Sequence, residues 1–313
     1  MTLNFVTHFD RLFIPQGLAL YFSMKKNIKD FRLWIVCIDD EVFDFFKLCQ
    51  FEEIYALKLS DFENEELLNI KNNRTKGEYC WTLTPQTIRM VFESDLSVKQ
   101  VTYIDADIWF RRSPKEIFDE FDASGKSVLI TDHAYYFDHD HSPKSGRFCV
   151  QFMIFNRDLN GLKVQKWWEL KCLDWCFARY ENGKFGDQMY LDVWPDIFEK
   201  EVHILKAEEL TLAPWNFKRF PFGKSVFFHF HQLKLIDENT VFTGEYVIPS
   251  NVLKYVYKEY FLDLSRSINL IKNHGFKIYF LKGNYRLMSI NFIIKRVLKK
   301  IFGFAKFNYI HKI

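Results

Sequence analysis

The chain has 313 residues, of which 48% are hydrophobic, 27% charged and 19% aromatic. That composition excludes a disordered chain, and the length allows a large core as one big domain or one domain with an appendage. The net charge of +3 conceals a split, because residues 265–313 carry eleven Lys or Arg and no acid, which leaves 32 basic against 40 acidic residues in the first 264.

No run of about 18 apolar residues is free of charge, so no membrane-spanning helix is expected. Residues 3–6 are too short for the apolar stretch of a signal peptide, and none is expected. The six cysteines, at positions 37, 49, 80, 149, 172 and 176, lack the close pairing of a zinc site or a small disulfide scaffold. Buried free thiols in a reducing compartment fit that spacing better.

Residues 3–7 read as a first strand. Pro15 opens a helix to about residue 26, with Leu18, Leu20, Tyr21 and Met24 recurring at helical spacing. A second strand covers 31–38, Asp39 and Asp40 cap a helix over 42–48, a third strand covers 53–57, and 60–69 is a further helix. The helix over 78–94, kinked or started by Pro85, then delivers the chain into a strand at 101–104. Such alternation predicts an open parallel α/β sheet with ligands at the carboxyl edge of its strands. Thr7, His8 and Asp10 fall at that edge after the first strand, and Asp39 and Asp40 after the second. They are candidate base and ribose contacts, with helix capping an equal reading for the second pair.

The fourth strand ends in Asp105-Ala-Asp107. Side chains two apart on an extended chain point to the same side, so both carboxylates can reach one hard cation, Mg²⁺ or Mn²⁺, that expects phosphate oxygens as further ligands. Taken alone, an Asp-x-Asp is more often a solvated turn, and its surroundings must decide. A short helix from Ser113-Pro114 to about residue 121 and a strand over 126–131 follow. Residues 134–147 contain Asp138-His-Asp-His141, but four potential ligands in a row converge on one ion only through a tight turn, so this reads as a loop over the sheet edge. A strand over 148–156 and an amphipathic helix over 167–176 come next, the latter's aromatics assigned to core packing.

Three later pieces carry chemistry. Phe185-Gly-Asp-Gln188 precedes residues 189–194, Leu212-Ala-Pro-Trp-Asn216 follows a strand at 202–205, and Val226-Phe-Phe-His-Phe-His231 is a strand ending in two imidazoles. With these in place the chain resembles bacterial nucleotide-diphospho-sugar glycosyltransferases of the GT-A fold, related to retaining lipopolysaccharide galactosyl- and glucosyltransferases. That group shares a Tyr-Leu-Asp-x-Asp strand, a later Asp-Gln, a Trp-Asn and a Phe-His-Phe, and order and spacing match over roughly residues 3–236. The resemblance implies a Rossmann-like, mostly parallel central sheet flanked by helices.

It also implies roles. Asp105 and Asp107 would hold Mn²⁺ or Mg²⁺, with Asp105 also on the donor ribose, and His229 would complete the metal sphere, His231 being an alternative because a period of two puts both on one face. Asp187 and Gln188 would lie beside the transferred sugar and the acceptor, Asp187 as base if transfer inverts and Gln188 supporting an oxocarbenium if it retains. Thr7, Asp10, Asp39, Arg89, Asp105, Gln151, Asn216 and Lys234 would line the donor site. The chain departs from the pattern where many relatives read Phe-Asn-x-Gly, since it has Phe148-Cys149-Val150-Gln151, and where Thr84 stands in place of a frequent lysine. His231-Gln-Leu-Lys234 replaces a usual Ser-Gly or Thr-Gly and Lys. A cap role for Asp187 and a core role for Trp215 are the plainer alternatives.

The function that follows is metal-dependent hexosyl transfer from a UDP-sugar or similar donor to a cell-surface glycan or lipid-linked acceptor, with domain limits at 1–264 and 265–313. Over 288–304, Ile290, Ile293, Ile294, Val297, Leu298, Ile301 and Phe302 fall largely on one helical side and Lys295, Arg296, Lys299 and Lys300 elsewhere. Such a basic amphipathic helix lies on anionic membrane, here the cytoplasmic face of the inner membrane, or packs on the acidic body. Nucleic acid is not expected, as no recognition module accompanies the charge. A metal-dependent phosphohydrolase and a non-catalytic sugar-nucleotide binder are the other classes, though no second ligand cluster suggests a two-metal site.

Overall fold

The computed structural model describes residues 2–137, 140–280 and 310–313. The first half alternates as the sequence predicts, through β1 (Leu3–Phe9), α1 (Ile14–Asn27), β2 (Phe31–Cys37), α2 (Asp40–Cys49), β3 (Ile54–Lys58), α3 (Glu65–Lys71), α4 (Lys76–Ser94) and β4 (Gln100–Ile104). After β5 (Ile108–Phe110), α5 (Lys115–Ser124) and β6 (Val128–Asp132) come the short α6 (Ser142–Ser145), β7 (Phe148–Asn156), α7 (Leu159–Asp174), α8 (Trp194–Ile197) and β8 (Val202–Ile204). The main sheet runs β3-β2-β1-β4-β7-β6-β8, and β7 alone is reversed, antiparallel to both β4 and β6.

Local chemistry explains where elements begin. Thr75 and Glu78 form a reciprocal capping box at the start of α4, which satisfies two otherwise orphaned backbone donors. The helix passes through Pro85 without starting there. The helix expected over 60–69 is instead a 3-10 turn at Leu59–Asp61 followed by α3, because the Asn64 side chain accepts from Leu67 N–H and re-initiates the helix. α7 starts at Leu159 and not at 167, since Asp158 caps it by accepting from Gly161 N–H. Gly161 is required there, as a Cβ would lie 2.1 Å from the Asn156 carbonyl oxygen.

Two apolar layers sandwich the sheet. Phe5 and Phe9 of β1 pack with Leu18, Phe45, Phe118 and Phe227 on one face, while Val6 packs with Trp34, Ile88 and Trp168 on the other, as alternation along a strand dictates. The six cysteines are free thiols, four of them buried.

Beyond β8 the chain builds β9 (Thr211–Leu212) and β10 (Phe227–His229), which join β5 in a second sheet ordered β5-β10-β9. β11 (Lys234–Asp237) and β12 (Thr240–Phe242) lead to α9 (Ser250–Val252), a π-turn, and α10 (Lys258–Asn273). The boundary drawn at 264/265 falls inside α10, whose Leu264, Ile268 and Ile271 are buried in the first core layer. Each such side chain contributes about 1.5–3 kcal/mol over exposure. The amphipathic segment over 288–304 lies outside the described residues. At the C-terminus, β13 (Ile310–Lys312) pairs antiparallel with β12 and completes a third, three-stranded sheet.

Candidate active site

β4 carries the chain to Ile104, and the main-chain N–H of Asp105 donates to the Gln151 carbonyl of β7 at 3.1 Å. A turn closed by Ile108 N–H on Asp105 O then reverses into β5. β10 pairs antiparallel with β5, His229 facing Ile108, and Phe230 N–H donates to the Asp107 carbonyl at 2.9 Å. Two segments far apart in sequence are thereby locked together. His229 Nε2 lies 3.1 Å from Asp107 Oδ1 and 3.7 Å from Asp105 Oδ2.

One ligand atom from each of Asp105, Asp107 and His229 falls within 4.8 Å of the others. That spacing suits a single ion whose bonds to nitrogen and oxygen are about 2.0–2.2 Å. Two carboxylates and one imidazole are hard and borderline donors, a set that fits a divalent cation. The electrostatics point the same way. Burial opposes charging of His229, yet Asp107 and then Asp105 raise its pKa well above the ordinary value. Burial also pushes Asp105 up, with His229 opposing, whereas at Asp107 the charge and hydrogen bond of His229 outweigh burial and hold it low. The pocket thus demands a positive charge, and a bound dication would supply it in place of the proton.

His229 is the histidine in this cluster. His231 keeps to the same side, its ring 5.7 Å from that of His229, but its Nδ1 faces the Tyr246 hydroxyl at 3.2 Å and burial lowers its pKa to about 3. Trp215 is buried, as its core reading supposes, and its ring lies edge-on to both imidazoles. Tyr103 donates to Asp105 Oδ1 at 2.9 Å.

Asp187 sits at the same edge. It makes no side-chain cap to the 3-10 helix that follows it, so the plainer capping role does not hold. Its carboxylate is buried, Oδ2 has no hydrogen-bond partner, and burial lifts its pKa to about 7 despite a hydrogen bond from Thr84, with Asp105 adding to the rise. Gln188 Nε2 donates to the Ser145 carbonyl at 2.6 Å, which turns the amide oxygen the other way.

The remaining expected residues divide. Thr7 is buried at the end of β1 with its hydroxyl unpartnered. Asp10 accepts from Leu12 N–H and pairs with Lys76 at 2.7 Å. Asp39 stands at the N-cap position of α2 but spends its carboxylate on Arg11 N–H and Lys76. These three share one edge. Arg89 is instead turned into the α4–α7 interface, held by Gln86, Glu93 and Glu169, and is not brought to the carboxylates. Asn216 gives its amide to the carbonyls of His133 and Thr211 and accepts from Ala213 N–H, so it braces its own turn. Lys234 opens β11 in the third sheet, opposite Phe242.

Of three further groups nearby, the sequence points to His8 and passes over Cys149 and Lys76. His8 Nε2 faces the Cys80 carbonyl at 3.0 Å, leaving Nδ1 buried and unpartnered, and burial lowers its pKa to about 4. Cys149 sits between His133 and His229, which outweigh burial and bring its thiol down to about 7. Lys76 bridges Asp10 and Asp39. A lysine in the first turn of a capped helix at the sheet edge is the signal that could have found it.

An open, mostly parallel sheet with one reversed strand, ending in paired aspartates joined by a histidine from a later strand, is the GT-A architecture. Solved structures agree. The chain superposes on the galactosyltransferase LgtC, determined with donor and acceptor sugar analogs, with a TM-score of 0.52 and 12% identity over 84% of this chain and 96% of that one. Against apo GlyE of Streptococcus pneumoniae TIGR4, a glycosyltransferase, the TM-score is 0.53 with 12% identity over 88% of this chain and 64% of that one. In sequence the chain is 27% identical to the uncharacterized protein YfnD of Bacillus subtilis (strain 168), covering 87% of this chain and 92% of that protein. YfnF of the same strain is 26% identical over 77% and 85% respectively. No family model matches the chain.

Proposed function

We propose that the chain is a metal-dependent glycosyltransferase that moves a hexose from a UDP-sugar to a cell-surface glycan or lipid-linked acceptor with retention of configuration. The observation that carries this is the meeting of Asp105, Asp107 and His229 beside Asp187 at the carboxyl edge of the sheet. Bound there, Mn²⁺ or Mg²⁺ would neutralise charge gathering on the departing diphosphate.

The chain's own residues supply the rest. Thr7, Asp10 and Asp39 mark the nucleoside end, and Tyr103 and the Gln151 carbonyl fix Asp105. Asp187, buried with a free oxygen, would lie beside the reacting carbon and the acceptor and not on the nucleotide. The amide oxygen of Gln188, fixed by the bond of its nitrogen to Ser145, would face the positive charge that develops at the anomeric carbon. No strong nucleophile is needed.

No helix among the described residues is long and apolar enough to cross a membrane. We place the enzyme peripherally on the cytoplasmic face of the inner membrane, on the strength of the basic amphipathic pattern in 288–304. Among the described residues there is one candidate metal cluster, which favours transfer over two-metal phosphohydrolysis. The test is nucleotide release from a panel of sugar nucleotides with Mn²⁺, with and without glycan acceptors. Acceptor-dependent release from one donor supports transfer, and metal-dependent cleavage of simple phosphate esters alone would replace it with hydrolysis.

A further inference from the structure

One residue of β7 touches two of the three candidate ligands. The Gln151 carbonyl accepts the Asp105 main-chain N–H at 3.1 Å, and its side-chain Oε1 lies 2.9 Å from His229 Nδ1. Gln151 is completely buried, and its Nε2 has no hydrogen-bond partner. An amide oxygen only accepts, so His229 must carry a proton on Nδ1, which leaves Nε2, 3.1 Å from Asp107 Oδ1, as the nitrogen that binds a cation once its own proton is displaced. A buried N–H without a partner is costly and persists where something else satisfies it. Because the amide is planar and its oxygen is committed to His229, the nitrogen stays beside the same centre.

We propose that Gln151 is a positioning residue that sets the metal-binding tautomer of His229, and that its Nε2 donates to an oxygen of the metal-bound nucleotide sugar. This rests on the reading of Asp105, Asp107 and His229 as metal ligands. One side chain then links the two binding events. His229 and Gln151 are already joined at 2.9 Å, so the amide that orients the metal ligand also presents a donor to the next ligand. Second-sphere partners of this kind typically govern metal affinity by about 10–100-fold.

The test uses the full chain and three variants. Mn²⁺ affinity is read from the electron paramagnetic resonance signal of free Mn²⁺, and affinity for UDP and for UDP-hexose from calorimetry at saturating Mn²⁺. Gln151→Met, which removes acceptor and donor at nearly constant volume, is expected to weaken Mn²⁺ by about 10–100-fold. Gln151→Glu keeps an acceptor for His229 and is expected to restore Mn²⁺ affinity, while nucleotide-sugar affinity falls by about tenfold for the lost N–H. A loss already present with UDP assigns the accepted oxygen to the diphosphate, and a loss confined to UDP-hexose assigns it to the sugar. A folded Gln151→Met with wild-type Mn²⁺ affinity overturns the proposal, as does a Gln151→Glu protein that binds Mn²⁺ no better than Met. Should the Met variant not fold, the Glu variant alone decides, because unchanged donor affinity in it sinks the second half. Asp107→Asn separates the layers: if it too binds Mn²⁺ normally, the metal centre itself is misplaced and the role of Gln151 falls with it.

Discussion

The indole Nε1–H of Trp168 donates to the main-chain carbonyl of Asp187 at 2.8 Å, so helix α7 reaches across to hold the residue whose carboxylate oxygen is buried without a partner. A side chain that reads as core packing therefore also fixes the backbone of Asp187. Asp187 is expensive to keep, and the expense is measurable.

Asp187→Asn should abolish transfer while preserving donor affinity, and it should stabilise the metal-free protein at alkaline pH. The folded pKa of about 7 lies above the unfolded value. The folded state therefore holds a proton over the range from about 4 to 7 that the unfolded state releases, and the stability this confers at low pH is lost as pH rises through 7. The neutral amide escapes that loss, by on the order of 4 kcal/mol at most at pH 8. Denaturant unfolding at pH 4 and pH 8 in a chelating buffer checks it. Equal pH dependence in both proteins would show that Asp187 ionises normally.

Asp107→Asn should leave the fold intact and remove metal-dependent nucleotide binding, because an uncharged amide is a poor ligand for a dication beside a diphosphate. Calorimetry of UDP with and without Mn²⁺ is the measurement. The wild-type affinity should also collapse on adding a chelator, whereas the variant should not respond. Metal-stimulated binding that persists in the variant would move the centre elsewhere.

Arg89→Ala should cost stability and spare the donor site. Arg89 Nε lies 3.4 Å from the buried Glu169 carboxylate at the α4–α7 interface, and because Glu169 keeps Lys166 at 3.1 Å and Gln165 at 2.8 Å, losing the arginine should cost about 1–2 kcal/mol. Thermal unfolding should register the loss while UDP-Mn²⁺ affinity stays at the wild-type level. A selective loss of nucleotide binding would restore the donor contact that the family resemblance implies.

Replacing Lys295, Arg296, Lys299 and Lys300 with Gln should weaken sedimentation with anionic vesicles and leave turnover of a short water-soluble acceptor unchanged. Each basic group near a charged surface contributes about 1 kcal/mol, and salt should mimic the substitutions as screening shortens to about 8 Å. Charge replacement is a cleaner test than removing 288–313, because truncation also deletes β13 and bares the edge of β12. Vesicle binding that ignores both charge and salt would end the membrane assignment.

Much of the frame is legible in residue pattern alone. β1, β2 and β4 announce themselves as apolar runs bounded by acids, and Asp105 and Asp107 as a pair at a strand's end, whereas the meeting of His229 with them is implied by the family resemblance and not by the pattern. What escapes is set by neighbours the pattern does not contain. The α7 start is masked because its cap, Asp158, lies before a glycine-containing first turn, and β13 is too short to carry a period. Arg89 is misread because an arginine on a helix near the site looks the same whether it faces a phosphate or Glu169. The role of Gln151 depends on a reversed strand, and reversal is not written in the strand's own composition.

The pairing of β10 with β5 also sets an order of events during synthesis. Asp105 and Asp107 leave the ribosome more than a hundred residues ahead of His229. At about 5–20 residues per second, the two carboxylates wait roughly 6–25 seconds for their third partner. During that interval the nascent chain has an acidic pair and no complete centre. Tight capture of a divalent ion at this centre would therefore signal that β10 has docked, and the ion's binding free energy would favour the finished fold over the chain before it.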